Sequence, residues 1–168
     1  YVLGTGDVVQ IELWGFKYWS KSYIIGENGN INIKGYTNIF VKGLTLKQAR
    51  SLIASRLGVK GNTSSLAVTV TRPRMVSVTI LGEVFNPGTY TLPATNSAFN
   101  FLVAMGGPTD IGSVRNIYIK RDGLIKDSFD LYGYYNKTLH TRDVYLQNGD
   151  YVIVGPLANT VSIGGAIR

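Results

Sequence analysis

The sequence contains no cysteine and only one histidine, His140, among its 168 residues. The absence of cysteine excludes disulfide bridges, thiolate metal ligands and a cysteine nucleophile. The residues that follow His140 form no recognisable catalytic triad, and a single loop histidine is usually a surface residue. We therefore expect no cofactor, no bound metal and no enzymatic activity.

Acidic residues are also scarce, and the chain has no long apolar run. Ten Asp and Glu stand against 17 Lys and Arg, which gives a formal net charge of +7. This charge fits an anionic partner such as an acidic glycan, but scattered basic residues are also typical of a solvated surface. No nucleic-acid partner is expected, because no groove-reading motif is present. No apolar stretch approaches the roughly 20 residues of a membrane-spanning helix, so we expect the chain itself to be soluble.

Glycine, β-branched residues and tyrosine are plentiful. Twenty glycines against five prolines, in a sequence rich in Val, Ile, Thr and Tyr, favour short strands joined by tight turns. A proline after Arg72 ends one strand-rich stretch, because proline removes a hydrogen-bond donor from a strand. The sequence therefore predicts an α+β protein of two small β-rich modules, each with one short helix, at residues 1–73 and 74–159.

The first module begins with a strand and a hairpin. Apolar and polar residues alternate through Val8–Trp14, which is the period of a half-buried strand. Asn28-Gly29 lies between two strand-like runs, and this pair predicts a two-residue hairpin in which Ile24 faces Ile33.

Each module has one well-marked helix. Thr45 followed by Gln48 has the spacing of a capping box, and Gly58 lies where a left-handed residue ends a helix. In the second module Ser97 predicts an N-cap, and Gly106-Gly107 predicts the helix end.

The second module otherwise consists of strands and turns. Val76–Val84 is strand-like and is followed by a Pro87-Gly88 turn. Asp122-Gly123 predicts another two-residue hairpin, and Tyr151–Val154 predicts a last strand. Residues 130–141, dense in Tyr and Asn, are interpreted as a loop or an irregular helix.

A short internal repeat indicates a further module. Val78–Val84 returns as Val161–Ile167, with the same order of Val, a hydroxyl residue, Ile, Gly and an aliphatic residue. Residues 160–168 are therefore predicted to be the first strand of another, truncated module.

Two groups of aromatic residues are candidates for contact with a glycan or with another subunit. Aromatic rings stack on the apolar faces of sugars, but they also pack cores and subunit interfaces, and both interpretations stay open. The candidates are Trp14, Tyr18, Trp19, Tyr132, Tyr134 and Tyr135.

Two aspartates occupy equivalent turn positions. Asp7 and Asp150 each follow a glycine just before a strand, which indicates turns in which the carboxylate accepts backbone N–H groups. The glycine-rich segments lack the Lys and Ser/Thr of a phosphate-binding loop. The motif positions with a mainly structural role are Gly4, Gly6, Asp7, Gly29, Gly43, Thr45, Gly82, Pro87, Gly88, Gly106, Gly107, Gly149 and Asp150.

Taken in order, these motifs resemble the bacterial outer-membrane polysaccharide export family. Tyr1–Ile11 is similar to the opening segment of that family, Glu27–Ile31 to its hairpin, and Val41–Ala49 to the start of its helix. Leu81–Tyr90 and Ala104–Gly107 resemble the soluble-ligand-binding β-grasp module that follows in the family.

The resemblance implies a β-grasp-like second module and a place at the periplasmic face of the outer membrane. It implies a ring-shaped homo-oligomer, the exported polysaccharide and an inner-membrane polysaccharide co-polymerase as partners. Attachment to the outer membrane would involve an acylated cysteine and a pore helix outside this chain. The function implied is that of a non-catalytic segment of a capsule or exopolysaccharide channel. The alternative is a stand-alone carbohydrate- or peptidoglycan-binding module that belongs to no pore.

Overall fold

The computed structural model has two compact units, Tyr1–Arg74 (unit 1) and Met75–Arg168 (unit 2). Its strands and few short helices confirm the predicted α+β class. The residues that it describes are 1–15, 18–35, 38–59, 65–136 and 143–158, without the side chains of residues 134–136. His140 and the repeat at Val161–Ile167 lie outside these ranges, so the further module at residues 160–168 stays a prediction.

Unit 1 is built around a three-stranded antiparallel sheet. Its elements are β1 (Val8–Trp14), β2 (Trp19–Ile24), β3 (Asn30–Ile31), β4 (Ile39–Phe40), α1 (Leu46–Arg56) and β5 (Ser65–Arg72). β1 lies in the middle of the sheet, between β2 and β5. β3 and β4 form a separate two-stranded ladder. The predicted alternation in β1 is observed, because Val9 and Ile11 are fully buried whereas Val8 and Gln10 are only partly buried.

Helix α1 follows its sequence signals. Thr45 accepts a hydrogen bond from the backbone N–H of Gln48, and the Gln48 side chain accepts one from the Thr45 N–H, so the predicted capping box is present. Ala49 and Ile53 carry its buried face. Gly58 has the left-handed φ of +67° predicted for the helix end.

The predicted pairing across Asn28-Gly29 is wrong. The chain does turn there, with the Gly26 N–H donating to the Asn30 carbonyl at 2.9 Å. However, Ile24 ends β2 opposite Val8, and β3 pairs with β4 instead. The reason is long-range, because the backbone N–H of Ile25 already donates to the Asp7 carbonyl at 2.9 Å.

Unit 2 contains one mixed sheet of five strands. Its elements are β6 (Met75–Gly82), β7 (Gly88–Pro93), α2 (Ala98–Ala104), β8 (Gly112–Arg121), β9 (Leu124–Phe129), α3 (Leu131–Asn136) and β10 (Asp150–Pro156). The strand order is β7-β6-β10-β8-β9, and β10 runs parallel to β6 and antiparallel to β8. The first and last of these five strands, β6 and β10, therefore lie side by side in the sheet. Val152 of β10 is fully buried between Ile80 and Ile119, its register partners in the two neighbouring strands.

The local signals of unit 2 are largely observed. Ser97 caps α2 through the N–H of Asn100. β8 and β9 form the predicted hairpin, in which Asp122 and Gly123 both have positive φ, as a type I′ turn requires. Residues 130–141, interpreted from sequence as a loop or an irregular helix, include α3, a second short helix in this unit. None of the helices in the described residues is long and apolar enough to cross a bilayer.

Gly82 is required by the close approach of two strands. Its φ is +87°, and a Cβ atom built there would collide with the carbonyl oxygen of Val154, its register partner in β10. That oxygen also accepts the N–H of Glu83 at 3.0 Å. A side chain at position 82 would therefore push β10 away from β6.

We predict that Gly82→Ala destabilises unit 2 by about 2–4 kcal/mol, from left-handed strain and from displacement of β10. Gly107→Ala is the matched control, because its φ is +78° and an added Cβ meets no atom within 4 Å. It should cost only about 1–2 kcal/mol. Urea unfolding followed by far-ultraviolet circular dichroism measures both, and an equal loss in the two variants would contradict the close approach.

Candidate functional site

A buried carboxylate joins the beginning and the end of unit 1. Asp7 is 0% exposed and lies directly before β1. Its oxygens accept the Tyr1 hydroxyl at 2.6 Å, the Gly4 N–H at 2.8 Å and the Arg74 N–H at 2.7 Å. The Arg74 guanidinium completes the cluster with an ion pair of 3.0 Å. Four donors therefore compensate for the removal of this charge from water.

The residues around Asp7 make room for this cluster. A Cβ atom at Gly4 would lie 2.5 Å from the Arg74 guanidinium, so glycine leaves the space that the arginine occupies. The guanidinium carbon also lies 5.5 Å from the centre of the Tyr1 ring. Burial, together with the neighbouring Asp7 carboxylate, raises the pKa of Tyr1 well above its ordinary value, because the phenolate would be desolvated beside a negative charge.

Unit 2 repeats the arrangement with a different arginine. Asp150, at the start of β10, is 0% exposed and accepts the Gln147 N–H at 2.7 Å. Arg121 of β8 binds its two oxygens through Nε and a terminal nitrogen, at 2.6 and 2.8 Å. The hydrogen bond to Asp150 raises the pKa of Arg121. In each unit, then, an aspartate accepts an N–H from three residues earlier and binds an arginine that the sequence did not indicate.

The carboxylates of Asp7 and Asp150 have a structural role. Both are fully buried and satisfied by internal donors, so neither is presented to solvent as an acid or base. Within the described ranges, no group of three His, Asp or Glu side chains is placed to hold a metal ion.

The net charge is concentrated in unit 1, which whole-chain counting does not reveal. Residues 1–74 contain ten Lys and Arg against three Asp and Glu, whereas residues 75–168 contain seven of each. The formal charge of +7 is therefore that of unit 1, and unit 2 is neutral. Counting charge by predicted module would have found this asymmetry from sequence.

The first aromatic group is divided between the two faces of the sheet. Leu13 pairs with Trp19 and faces inward, so Trp14, the next residue, lies on the opposite face. Trp14 is 42% exposed, and its ring lies 6.2 Å from that of Tyr18, which is 63% exposed. These two rings form one exposed pair, and Trp19 is not part of it.

Trp19 belongs instead to a second cluster on the inner face of edge strand β2. Its ring lies 6.1 Å from that of Tyr23, and both residues are half-buried against the core of unit 1. Burial raises the pKa of Tyr23. Lys21 lies between them in the strand, on the same face by alternation, and is exposed.

A pocket of about 230 Å³ opens beside Trp19. Its walls come from four separate segments: β1, β2, the turn after β3 and the end of α1. The lining residues are Leu13, Trp19, Ile33, Lys34 and Leu57. Lys34 is exposed, whereas the preceding residue, Ile33, is fully buried. The lining of the pocket thus combines an indole ring, apolar side chains and a lysine.

The second aromatic group contributes one exposed ring to unit 2. Tyr132 is 51% exposed, and the guanidinium carbon of Arg115 lies 4.9 Å from its ring centre. Arg115 also approaches Asp130 at 3.9 Å. Tyr134 and Tyr135 belong to the same helix α3, but their side chains lie outside the described part of the chain. The structure therefore places Tyr132 and Arg115 together as a surface pair.

The comparisons with known proteins agree with the resemblance in the motifs. Residues 1–72 match the family model described as polysaccharide biosynthesis/export protein. Two curated relatives, both named polysialic acid transport protein KpsD, of Escherichia coli, are 28% identical to the chain over 170 residues. Each alignment covers 99% of this chain but 30% of the relative, so the chain spans under a third of their length. The predicted resemblance to a polysaccharide export family is therefore borne out.

We predict that Asp7→Ala destabilises unit 1 by about 3–5 kcal/mol, because Arg74 and two backbone N–H groups lose their acceptor. Glu27→Ala is the control, since it removes the same charge from an exposed position and should change stability by less than about 0.5 kcal/mol. Both tryptophans lie in unit 1, so the urea transition of tryptophan fluorescence reports on that unit. A similar midpoint for both variants would contradict the role of Asp7.

Proposed function

We propose that the chain is the periplasmic portion of an outer-membrane channel for capsule or exopolysaccharide, because residues 1–72 match the family model for polysaccharide biosynthesis/export proteins. The observation that carries the proposal is the alignment with the two KpsD proteins, which runs through both units rather than the first alone. In this proposal the chain contributes shape and contact surface to transport and makes or breaks no covalent bond. Asp7 and Asp150 are buried in ion pairs with arginines, and this supports a role without catalysis.

The fold of unit 2 supports its assignment as a β-grasp-like module. Two hairpins, β6-β7 and β8-β9, flank the last strand β10, which runs parallel to the first strand of the unit. Helix α2 connects the two hairpins. We assign this module to contacts with neighbouring subunits or with the glycan, because it carries exposed apolar and aromatic side chains such as Phe85 and Tyr132.

The remaining parts of the proposal concern the full-length protein. It would be a lipoprotein at the periplasmic face of the outer membrane, joined to that membrane through segments outside this chain. Its partners would be other copies of itself in a ring, the exported polysaccharide and an inner-membrane polysaccharide co-polymerase. The excess charge of unit 1 favours an anionic polysaccharide, as does the name of the two relatives, which are transport proteins for polysialic acid.

We predict that deleting the gene for the full-length protein abolishes surface polysaccharide while synthesis continues. The polymer should accumulate inside the cell, because an export component acts after polymerisation. Surface labelling and extraction of total polysaccharide measure the two amounts, and complementation with the intact gene is the control. Unchanged surface polysaccharide in the deletion strain would refute the proposal.

The full-length protein in detergent should form a closed ring, because head-to-tail contacts between copies close when their rotation completes a circle. Native mass spectrometry should show one discrete oligomer whose mass is a whole multiple of the protomer. The 168-residue chain alone provides a comparison for how much of the assembly depends on the rest of the protein. A strictly monomeric full-length protein at high concentration would count against a ring.

A further inference from the structure

We propose that the pocket beside Trp19 in unit 1 binds one acidic sugar residue of a polysaccharide, with Trp19 against the sugar ring and Lys34 at its carboxylate. This inference rests on the proposed function, since it names a contact that the exported polymer would make. It also separates the six aromatic candidates, because it assigns sugar binding to Trp19 and not to Trp14.

The size of the pocket sets the size of the ligand. Sites for drug-sized ligands occupy about 300–1,000 Å³, and this pocket has a volume of about 230 Å³. It therefore has room for one ring of a polymer and not for several. The neighbouring sugars would lie outside the pocket, as expected for a polysaccharide that must keep moving during export.

The composition of the walls selects a saccharide. An indole face binds the apolar C–H face of a pyranose ring, and Leu13 and Leu57 extend that apolar surface. Trp19 is held by the core of unit 1 and by the Tyr23 ring, so the indole is already ordered and loses little freedom on binding. Trp14, in contrast, is an exposed residue on the outer face and lines no part of this pocket.

The two lysines at the pocket favour a ligand that carries a negative charge. Lys34 lines it, and Lys21 lies next to Trp19 on the same face of β2. No carboxylate of the described residues is within ion-pair distance of either lysine, whereas Arg74, Arg115 and Arg121 each have an aspartate partner. Both ammonium groups are therefore available to an anionic ligand, within a unit that carries the whole net charge of the chain.

Two pairs of matched variants test the inference in the 168-residue chain. Lys34→Gln removes a charge from the pocket, and Lys47→Gln removes the same charge from the exposed side of α1. Trp19→Ala removes the indole of the pocket, and Trp14→Ala removes the indole of the outer face. Trp19→Phe keeps apolar packing if Trp19→Ala lowers the melting temperature.

Three ligands separate ring contact from charge. Oligogalacturonate supplies pyranose rings that carry carboxylates, its methyl ester supplies the same rings without charge, and oligoglutamate supplies carboxylates without rings. Calorimetry should show the tightest binding for oligogalacturonate. Lys34→Gln should weaken that binding about three- to tenfold and Trp19→Ala about tenfold, with Trp19→Phe between wild type and Trp19→Ala, while Lys47→Gln and Trp14→Ala stay within twofold of wild type.

Several results would overturn the inference. Equal binding of oligoglutamate or of the methyl ester would show that charge alone, or rings alone, explain the affinity. Equal losses in Lys47→Gln or Trp14→Ala would place the contact elsewhere, and no binding of oligogalacturonate by the wild-type chain would reject an acidic-sugar site. None of these results would contradict the proposed export role, because the amount of surface polysaccharide in the deletion strain tests that role separately.

Discussion

A buried aspartate bound to an arginine is the constraint on which each unit depends. A carboxylate removed from water is strongly unfavourable unless donors surround it, so Asp7 and Asp150 fix the positions of every group that binds them. Both lie at the start of the central strand of their sheet, β1 in unit 1 and β10 in unit 2. Tyr1 and Arg74, which bind Asp7, come from opposite ends of unit 1. The Asp7 side chain thus links the two ends of unit 1 at the beginning of its central strand.

The surface features of unit 1 follow from that strand. Because β1 pairs with β2 from Val8 to Leu13, Trp19 lies opposite Leu13 on the inner face, and Trp14 lies on the outer face. The sheet and the end of α1 then enclose the pocket that Trp19 and Lys34 line. Asp7 is one of only three acidic residues in this unit, and it is fully buried. Unit 1 therefore presents an excess of exposed cations beside a fixed aromatic ring.

Local signals in the sequence predicted local structure well. The capping box of Thr45 and Gln48, the Ser97 cap and the Asp122-Gly123 hairpin depend on residues within four positions of each other, and all three are present. The Asn28-Gly29 hairpin was wrong because a distant segment, Gly6–Asp7, occupies the backbone of Ile25. Arg74 was missed as the partner of Asp7 because 67 positions separate them. The separation of Trp14 from Trp19 required the strand register, which residue spacing alone did not provide.

The central claim is that unit 1 carries the glycan contact on its inner face, and nuclear magnetic resonance of the labelled chain tests it most directly. The two tryptophans give two indole N–H signals, one from each face of the sheet. Titration with oligogalacturonate should shift the Trp19 signal and the backbone amides around Lys34, while the Trp14 signal stays unchanged. Shifts confined to unit 2, or to Trp14 alone, would contradict the account.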